Sequence, residues 1–545
     1  MEKRSLLAIS LSALVILVYY VFVFKPPPPA SPTPPSSSPP TTATTKPSAS
    51  EGKDANLLKL APDVAAQPQI PPKINTVDTP LYRAETLNLG AVGKSFSVKG
   101  YQQTTEKNSP LVDLFAGTLN QNLLLQFHDA NFSLPDSLSF EVAEEGSDFV
   151  SYRFKNSDIV LTKHIHWDTT NYVANVKVTL ENTSSQTLQA ALGLRLDAVQ
   201  HPPQKGGWGF LKAPENFIHP LSFQDNGMTR HNDIKKLAPQ MEETGAFRWV
   251  GLEDRYFLWA LISRALSSET RSQYGVKEGN QLFSELIYPK EVVAPAGKIE
   301  KEFTVYVGPK DIDHLKQLGV HLEKAVDYGW FSFVAQPILF LLKFFHRWVG
   351  NWGVAIILLT VFIKLVLHPI NKKTLESMKA MQKLQPKLTE IREKYKNDKE
   401  RMNVEMMNLF KTHKVNPMGG CLPMLLQMPV YIALYKVLYN AIELYHAPFF
   451  GFYKDLSAPD PYFISPILLG IFMVLQQKMT PSATQDPAQA NAMLFMPIMF
   501  SAFMLFLPSG LVLYIFVNTF MTVVQQYMHQ HDMSFSDLFG RRKAS

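Results

Sequence analysis

The chain has 545 residues, enough for several domains, and a net charge of +6 that is too mild to mark a nucleic-acid binder. Its one cysteine, Cys421, excludes an intrachain disulfide, so any exported part must fold on its core alone. Seventeen of the 20 methionines lie beyond residue 370, so the chain changes chemical character there.

Residues 1–25 open with Lys3 and Arg4 and continue as an apolar run from Leu6 to Phe24. The run is longer than the apolar region of a signal peptide and lacks a small-residue cleavage site. It reads as an uncleaved membrane anchor with its N-terminus in the cytoplasm, a cleaved signal being the alternative. Residues 26–80, with PPPPASPTPPSSSPPTTATTKPS, form a Pro/Ser/Thr-rich linker that cannot bury a core. The linker is expected to uncouple the next domain from the membrane.

Residues 81–310 read as β-structure. Tyr172, Ala174, Val176, Val178 and Leu180 alternate with more polar residues, the period of a half-buried strand. Ile159, Leu161, Ile165 and Trp167 share one parity, as do Phe303, Val305 and Val307. About 230 residues of short strands predict a large antiparallel β-sandwich. His164 and His166 share a strand face, but no carboxylate cluster accompanies them or His201. They are read as surface or packing histidines, and no metal site is expected.

Residues 311–350 turn helical. Trp330, Phe331, Phe333, Phe340, Phe344, Phe345 and Trp348 stand beside Lys343, His346 and Arg347, a mixture suited to a helix lying on the outer membrane surface.

The next stretch, Asn351 to Ile370, is apolar and about twenty residues long, the length of a transmembrane helix. It carries one cation, Lys364, and no acid. A central Lys costs roughly 2.5–3.5 kcal/mol on insertion scales. It lies ~9 Å from the end of the span at the helical rise, so its stem nearly reaches the headgroups. Snorkelling is therefore one reading; a wet pocket inside the membrane is the other, and the rest of the chain favours it.

Residues 371–420 hold twelve Lys or Arg against six Asp or Glu, an excess that places them in the cytoplasm. Leu384, Leu388 and Ile391 fall at helical spacing, as do Met402, Met406, Leu409 and Phe410, with Asn397-Asp398 between them. The pattern predicts a basic helical hairpin, with Pro386 either starting its first helix or kinking the segment before it. It is a solvated loop that only sets topology, or a platform for a ribosome, a targeting factor or lipid headgroups.

Four more apolar spans are expected: Cys421 to Tyr439, Tyr462 to Leu475, Ala492 to Leu507 and Leu511 to about Val524. They place residues 351–530 in a five-helix core, with residues 531–545 as a basic tail ending Arg541-Arg542-Lys543. Six spans in all leave both termini in the cytoplasm. Two spans are short, which favours local thinning of the bilayer. Met424, Met428, Met473, Met493, Met496, Met499 and Met504 lie on these helices. Ordinary bundle packing explains such methionines; so does a surface that handles many apolar partners.

The run Asn416 to Pro429, NPMGGCLPMLLQMP, is followed by Tyr431 and Ala433-Leu434-Tyr435. With Pro508-Ser509-Gly510-Leu511-Val512-Leu513-Tyr514, Leu384-Gln385-Pro386-Lys387 and Asp455-Leu456-Ser457, it closely resembles the YidC/Oxa1/Alb3 membrane-insertase family. Tyr306-Val307-Gly308-Pro309-Lys310 resembles the Gram-negative YidC form. The resemblance implies an inner-membrane insertase and chaperone, acting alone or beside the Sec translocon. The linker, sandwich and surface helix would then be periplasmic. Five helices would enclose a hydrophilic groove open to the cytoplasm and lipid, lined by Lys364, Thr360 and Tyr514. Lys364 stands where the family usually has Arg, and Ile515 follows Tyr514 where a second aromatic is common. Substrate helices would slide along the third and fifth transmembrane helices, past Met424, Met428, Met493, Met496, Met499 and Met504. The implied partners are nascent integral membrane proteins, Sec translocon components, the ribosome and signal recognition particle pathway, and membrane lipids. No small-molecule substrate or cofactor is implied.

Two other functions compete. A transporter would place Asp, Glu or His chains in its spans, and the core spans have no Asp or Glu. A tethered sugar enzyme would not need five further spans. No Walker A sequence is present, so no use of ATP is expected; the chain is read as a catalyst in the broad sense, without covalent chemistry.

Overall fold

The computed structural model describes residues 70–531 and 533, apart from 119–121, 135–137, 201–216, 234–236, 238–239, 278–279, 414, 416–421, 452 and 481–486. The expected anchor, most of the linker, His201 and nearly all of the basic tail lie outside the described residues.

Three antiparallel sheets make the first domain. A four-stranded sheet runs in sequence order from Ile74–Asp78 to Leu111–Asp113. A nine-stranded sheet has Val173–Asn182 between Ile159–Trp167 and Lys298–Pro309. A smaller sheet, built on Leu188–Val199 and Gln281–Ile287, faces it across Phe247–Glu253 and Phe257–Ser263. The alternation in the sequence sets this packing: Ala174, Val176, Val178 and Leu180 are buried, as are Ile159, Leu161, Ile165 and Trp167. The remaining inward position of that second strand is Lys163, fully buried. The domain starts earlier than the expected residue 81. Ile74–Asp78 pairs with Tyr82–Leu87 because the short alternating run INTVD completes the sheet edge.

His166 Nε2 lies 3.4 Å from Asp148 Oδ2, and His164 packs against the Phe149 ring. Among the described residues no cluster of His, Cys, Asp and Glu could hold a metal.

Nine helices are described after the sheets: α1 (Ile312–Gln317), α2 (Ser332–Val349), α3 (Trp352–Val366), α4 (His368–Lys394), α5 (Lys399–Thr412), α6 (Leu422–Asn440), α7 (Ile464–Met479), α8 (Pro487–Met504) and α9 (Ser509–Gln530). Helix α2 buries Ala335, Ile338, Leu339 and Leu342, while Phe333, Phe340 and Trp348 on its other face, and Trp330 just before it, are exposed. Gly350, in the left-handed region at φ 66°, ends it, and the Asn351 side chain starts α3 by accepting from the Val354 amide. At Gly353 the Phe449 ring fills the place that a side chain would take.

The apolar stretch expected as one span to Ile370 is instead broken. Helix α3 stops at Val366 and α4 leaves it at 66°, with Pro369 in its first turn. Pro386 lies inside α4 and does not start a helix. Leu384, Leu388 and Phe410 form a small core between α4 and α5, with Met406 and Leu409 against it. Gly329–Val349 and Ser509–Gln530 are each long and apolar enough to cross a membrane, and α3 with α4 makes a third such segment if joined. Ile464–Met479 and Phe495–Met504 are shorter apolar helices.

The β-domain is not uncoupled from the helices, contrary to the expectation drawn from its N-terminal linker. Its C-terminal side runs directly into α1 and α2, and it grips the loop between α6 and α7. The Tyr445 hydroxyl donates to the Gln102 carbonyl at 3.1 Å, and its ring meets Tyr256 and Tyr101. Lys343 of α2 joins Asp313 at 2.9 Å to Glu443 at 2.7 Å.

Candidate functional site: a polar seam among apolar helices

Helix α9 is apolar except along one face. Tyr514, Asn518, Thr522 and Gln526 recur every fourth residue, so they stand in one row. Tyr514, Asn518 and Gln526 are buried, with Thr519 beside them. Opposite stands α3, whose buried face carries Thr360 and, one turn on, Lys364.

The two helices meet through a charge-assisted hydrogen bond. Lys364 Nζ donates to Thr522 Oγ1 at 2.6 Å, and Lys364 is only 5% exposed. The Thr522 hydroxyl in turn donates to the Asn518 carbonyl at 2.7 Å. Asn518 Nδ2 donates to the Tyr431 hydroxyl on α6. The Tyr431 ring meets Tyr514 edge-on at 5.8 Å, and Gln427 Nε2 donates to the Tyr514 hydroxyl at 3.1 Å. Lys364 is thus tied to Tyr514 through a third helix. Thr360 shares the seam, but its hydroxyl donates back to the Ile356 carbonyl at 2.7 Å. Among the described residues Lys364 has no carboxylate partner.

Such a seam has one chemical capability: it offers donors, acceptors and a cation to polar groups that hydrocarbon would leave unsatisfied.

The methionines divide. Met428, Met496 and Met499 are 40%, 55% and 50% exposed. Met504, expected on the same face, is buried at 3% exposure. It lies seven residues from Pro497 and so shares that residue's buried side of α8, just before the turn into α9. The side chains of Met424 and Met493 lie outside the described residues.

Two family matches span nearly all of this architecture. Residues 75–341 match the YidC periplasmic domain, and residues 344–536 match the 60Kd inner membrane protein family. The membrane protein insertase YidC of Syntrophus aciditrophicus is 36% identical over 549 residues, covering 97% of this chain and 99% of that protein. The chain belongs to the YidC membrane protein insertase family. The YidC of Geobacter metallireducens is also 36% identical, over 96% of this chain and 98% of its own length. A crystal structure of an active YidC insertase with its first transmembrane domain resolved is similar at 19% identity and a TM-score of 0.37, over 84% of this chain and 92% of that one. The assignment to YidC rests on the sequence relatives. It makes the β-rich region a periplasmic domain and the apolar helices part of an inner-membrane protein.

Of this seam, Lys364, Thr360 and Tyr514 are expected from the sequence, while Asn518, Thr522, Gln526, Tyr431 and Gln427 are added by the structure. The signal was present: Tyr514, Asn518, Thr522 and Gln526 recur at every fourth position of a largely apolar helix.

Proposed function

We propose that this chain inserts and folds integral membrane proteins of the inner membrane, and that the seam around Lys364 is the wall of its hydrophilic groove. The observation that carries the reading is the buried ammonium of Lys364, which donates to Thr522 and through it is linked to Asn518 and Tyr431. A polar tail crossing ~30 Å of hydrocarbon has no hydrogen-bond partners. A polar seam part-way through shortens the dry path, and its cation attracts acidic groups in the tail. The apolar part of the substrate leaves meanwhile along exposed Met428, Met496 and Met499.

In this reading α3, α6, α7, α8 and α9 span the membrane together with the N-terminal anchor, both termini are cytoplasmic, and α2 lies at the periplasmic surface. The α4–α5 hairpin meets the ribosome, the signal recognition particle pathway or anionic headgroups. Sec translocon components act beside the chain for some substrates. No covalent step and no nucleotide are needed. Photo-crosslinking groups placed at Met428, Met496 and Met499 should capture a nascent membrane protein, and purified protein in liposomes should insert a small substrate without ATP. Capture of nothing at these positions, or an absolute ATP requirement, refutes the reading.

A further inference from the structure

The polar row of α9 does not stop at Gln526. Gln530 follows at the same interval, on the last turn of the helix. At 3.6 residues per turn, steps of four residues turn the row by about 40° each, so it winds about 160° around α9 from Tyr514 to Gln530. Its members therefore meet different helices in succession. Tyr514 and Asn518 meet α6, and Thr522 meets α3. Gln526 and Gln530 meet the end of α7. Gln526 Nε2 donates to Thr480 Oγ1 at 3.4 Å, and Gln530 Nε2 donates to the Met479 carbonyl at 2.8 Å.

The Met479 carbonyl belongs to the last residue of α7, and the carbonyls of a last turn have no donor within their own helix. The last turn of α9 has the same need, and the hairpin meets it: Lys379 of α4 donates from Nζ to the His529 carbonyl at 3.3 Å. An ammonium also suits the negative end of the helix dipole. Helix α4 arrives there after leaving α3 at 66°. His529 and Gln530 are chain neighbours, so a single turn receives α4 on its backbone and holds α7 with its side chain.

We propose that Lys379 and Gln530 are positioning residues for insertion: α4 holds the last turn of α9, that turn holds the end of α7, and the hairpin thereby fixes how α7 stands beside the seam. The insertion arm of the test rests on the groove reading; the structural arm does not.

The full-length protein in liposomes is compared with Lys379→Met, Gln530→Met and the double variant. Both substitutions keep an unbranched stem and remove the donor. Hydrogen exchange of the amides at 476–480 should be about fivefold faster in each single variant, the effect of one lost hydrogen bond. The double variant should exchange no faster than Gln530→Met, because the two contacts act in series. Lys379→Arg keeps the charge and a donor, and should exchange as the wild type does. Unchanged exchange in either single variant, multiplied effects in the double variant, or no rescue by Lys379→Arg overturns the proposal. In insertion of a small substrate, each single variant should lower the maximal rate and leave the half-saturating substrate concentration unchanged. A wild-type maximal rate overturns the positioning role, provided Lys364→Ala abolishes insertion in the same assay. If Lys364→Ala inserts normally, the groove reading fails, and fast exchange with effects in series still upholds the holding of α7 by α4.

Discussion

Lys364 and Thr522 stand 158 residues apart in the chain and meet at 2.6 Å. The ammonium is therefore turned into the bundle against α9, rather than stretched along α3 toward headgroups. This arrangement favours the wet-pocket reading of Lys364 over the snorkelling one, because a snorkelling lysine needs no acceptor on another helix. Thr522→Val keeps the shape and removes that acceptor. A hydrogen bond to a charged group contributes about 1.5–3 kcal/mol, so insertion should fall by roughly tenfold or more while the protein still accumulates. Thr522→Ser should restore it. Wild-type insertion by the Val variant would show that the bond has no part in the groove.

His446 provides a pH-dependent contact on the periplasmic side. Its Nδ1 faces Asp455 Oδ2 at 2.6 Å and its Nε2 faces the Gln103 carbonyl at 3.4 Å. Both partners are acceptors, so satisfying both contacts requires the imidazolium. The hydrogen bond to Asp455, its charge and the Gln103 carbonyl raise the pKa above the ordinary 6.5, outweighing burial. A raised pKa gives stability that is full below pH 6.5 and is lost as pH rises through the higher folded value. Amide exchange in the loop between α6 and α7 should accelerate in that alkaline direction. His446→Gln should remove the dependence; a pH profile identical to the wild type in that variant rules out His446 as its source.

The sheets were legible where alternation was regular. Ile159, Leu161, Ile165 and Trp167 all point inward, and the strands pair as a meander would. Position 163 was legible in phase but not in consequence, since nothing in a sequence shows that two carbonyls wait for a buried lysine. The break at Leu367 was hidden because apolar residues continue across it; only Pro369 hinted at a new helix start. Lys364 stood out as the one charge in its span. Its partner Thr522 did not, because a threonine in an apolar helix is ordinary until another helix is laid against it. The burial of Met504 was hidden for the same reason: composition gives the residue type, and only the turn into α9 decides which face is covered.

Lys163 should make the β-domain sensitive to pH in the opposite sense. Its ammonium donates to the carbonyls of Ala91 and Leu123, two residues held in the left-handed region at φ 50° and 57°. Burial lowers its pKa from 10.5 to about 7. The unfolded chain then holds the proton more tightly, so stability is greatest above pH 10.5 and falls as pH drops toward about 7, below which it levels. The slope is about 1.4 kcal/mol per pH unit at most. Thermal unfolding of the full chain, followed by tryptophan fluorescence, should show it, and Lys163→Met should flatten it. An equal slope in the variant would mean that other groups set the dependence.

The α4–α5 hairpin is held by few residues, so one change should open it. Leu388 is fully buried against Phe410 and Leu409. Leu388→Asp places a charge in that small core, at a cost of several kcal/mol unless the two helices part. Ribosome binding and insertion should both fall while α9 and the seam remain folded. If insertion persists with the hairpin opened, the hairpin sets topology and has no recruiting role.

The decisive series is at Lys364 itself. Its charge is proposed to attract acidic groups of a translocated tail and to hold water where lipid would exclude it. Lys364→Arg keeps charge, donors and reach, so insertion should be retained. Lys364→Ala removes all three and leaves Thr522 facing an apolar space; substrates that depend on this chain alone should no longer insert. Lys364→Glu should be worse still, because it repels an acidic tail and reverses the potential of the seam. Substrates assisted by the Sec translocon should suffer less in each variant. The snorkelling alternative orders the variants differently. A charge that only burdens its helix costs roughly 2.5–3.5 kcal/mol, so Ala would be harmless or helpful. Insertion of a short-tailed substrate in cells depleted of the wild-type protein separates the two orders. Wild-type insertion by Lys364→Ala would make Lys364 an anchor and would remove the charge from this mechanism.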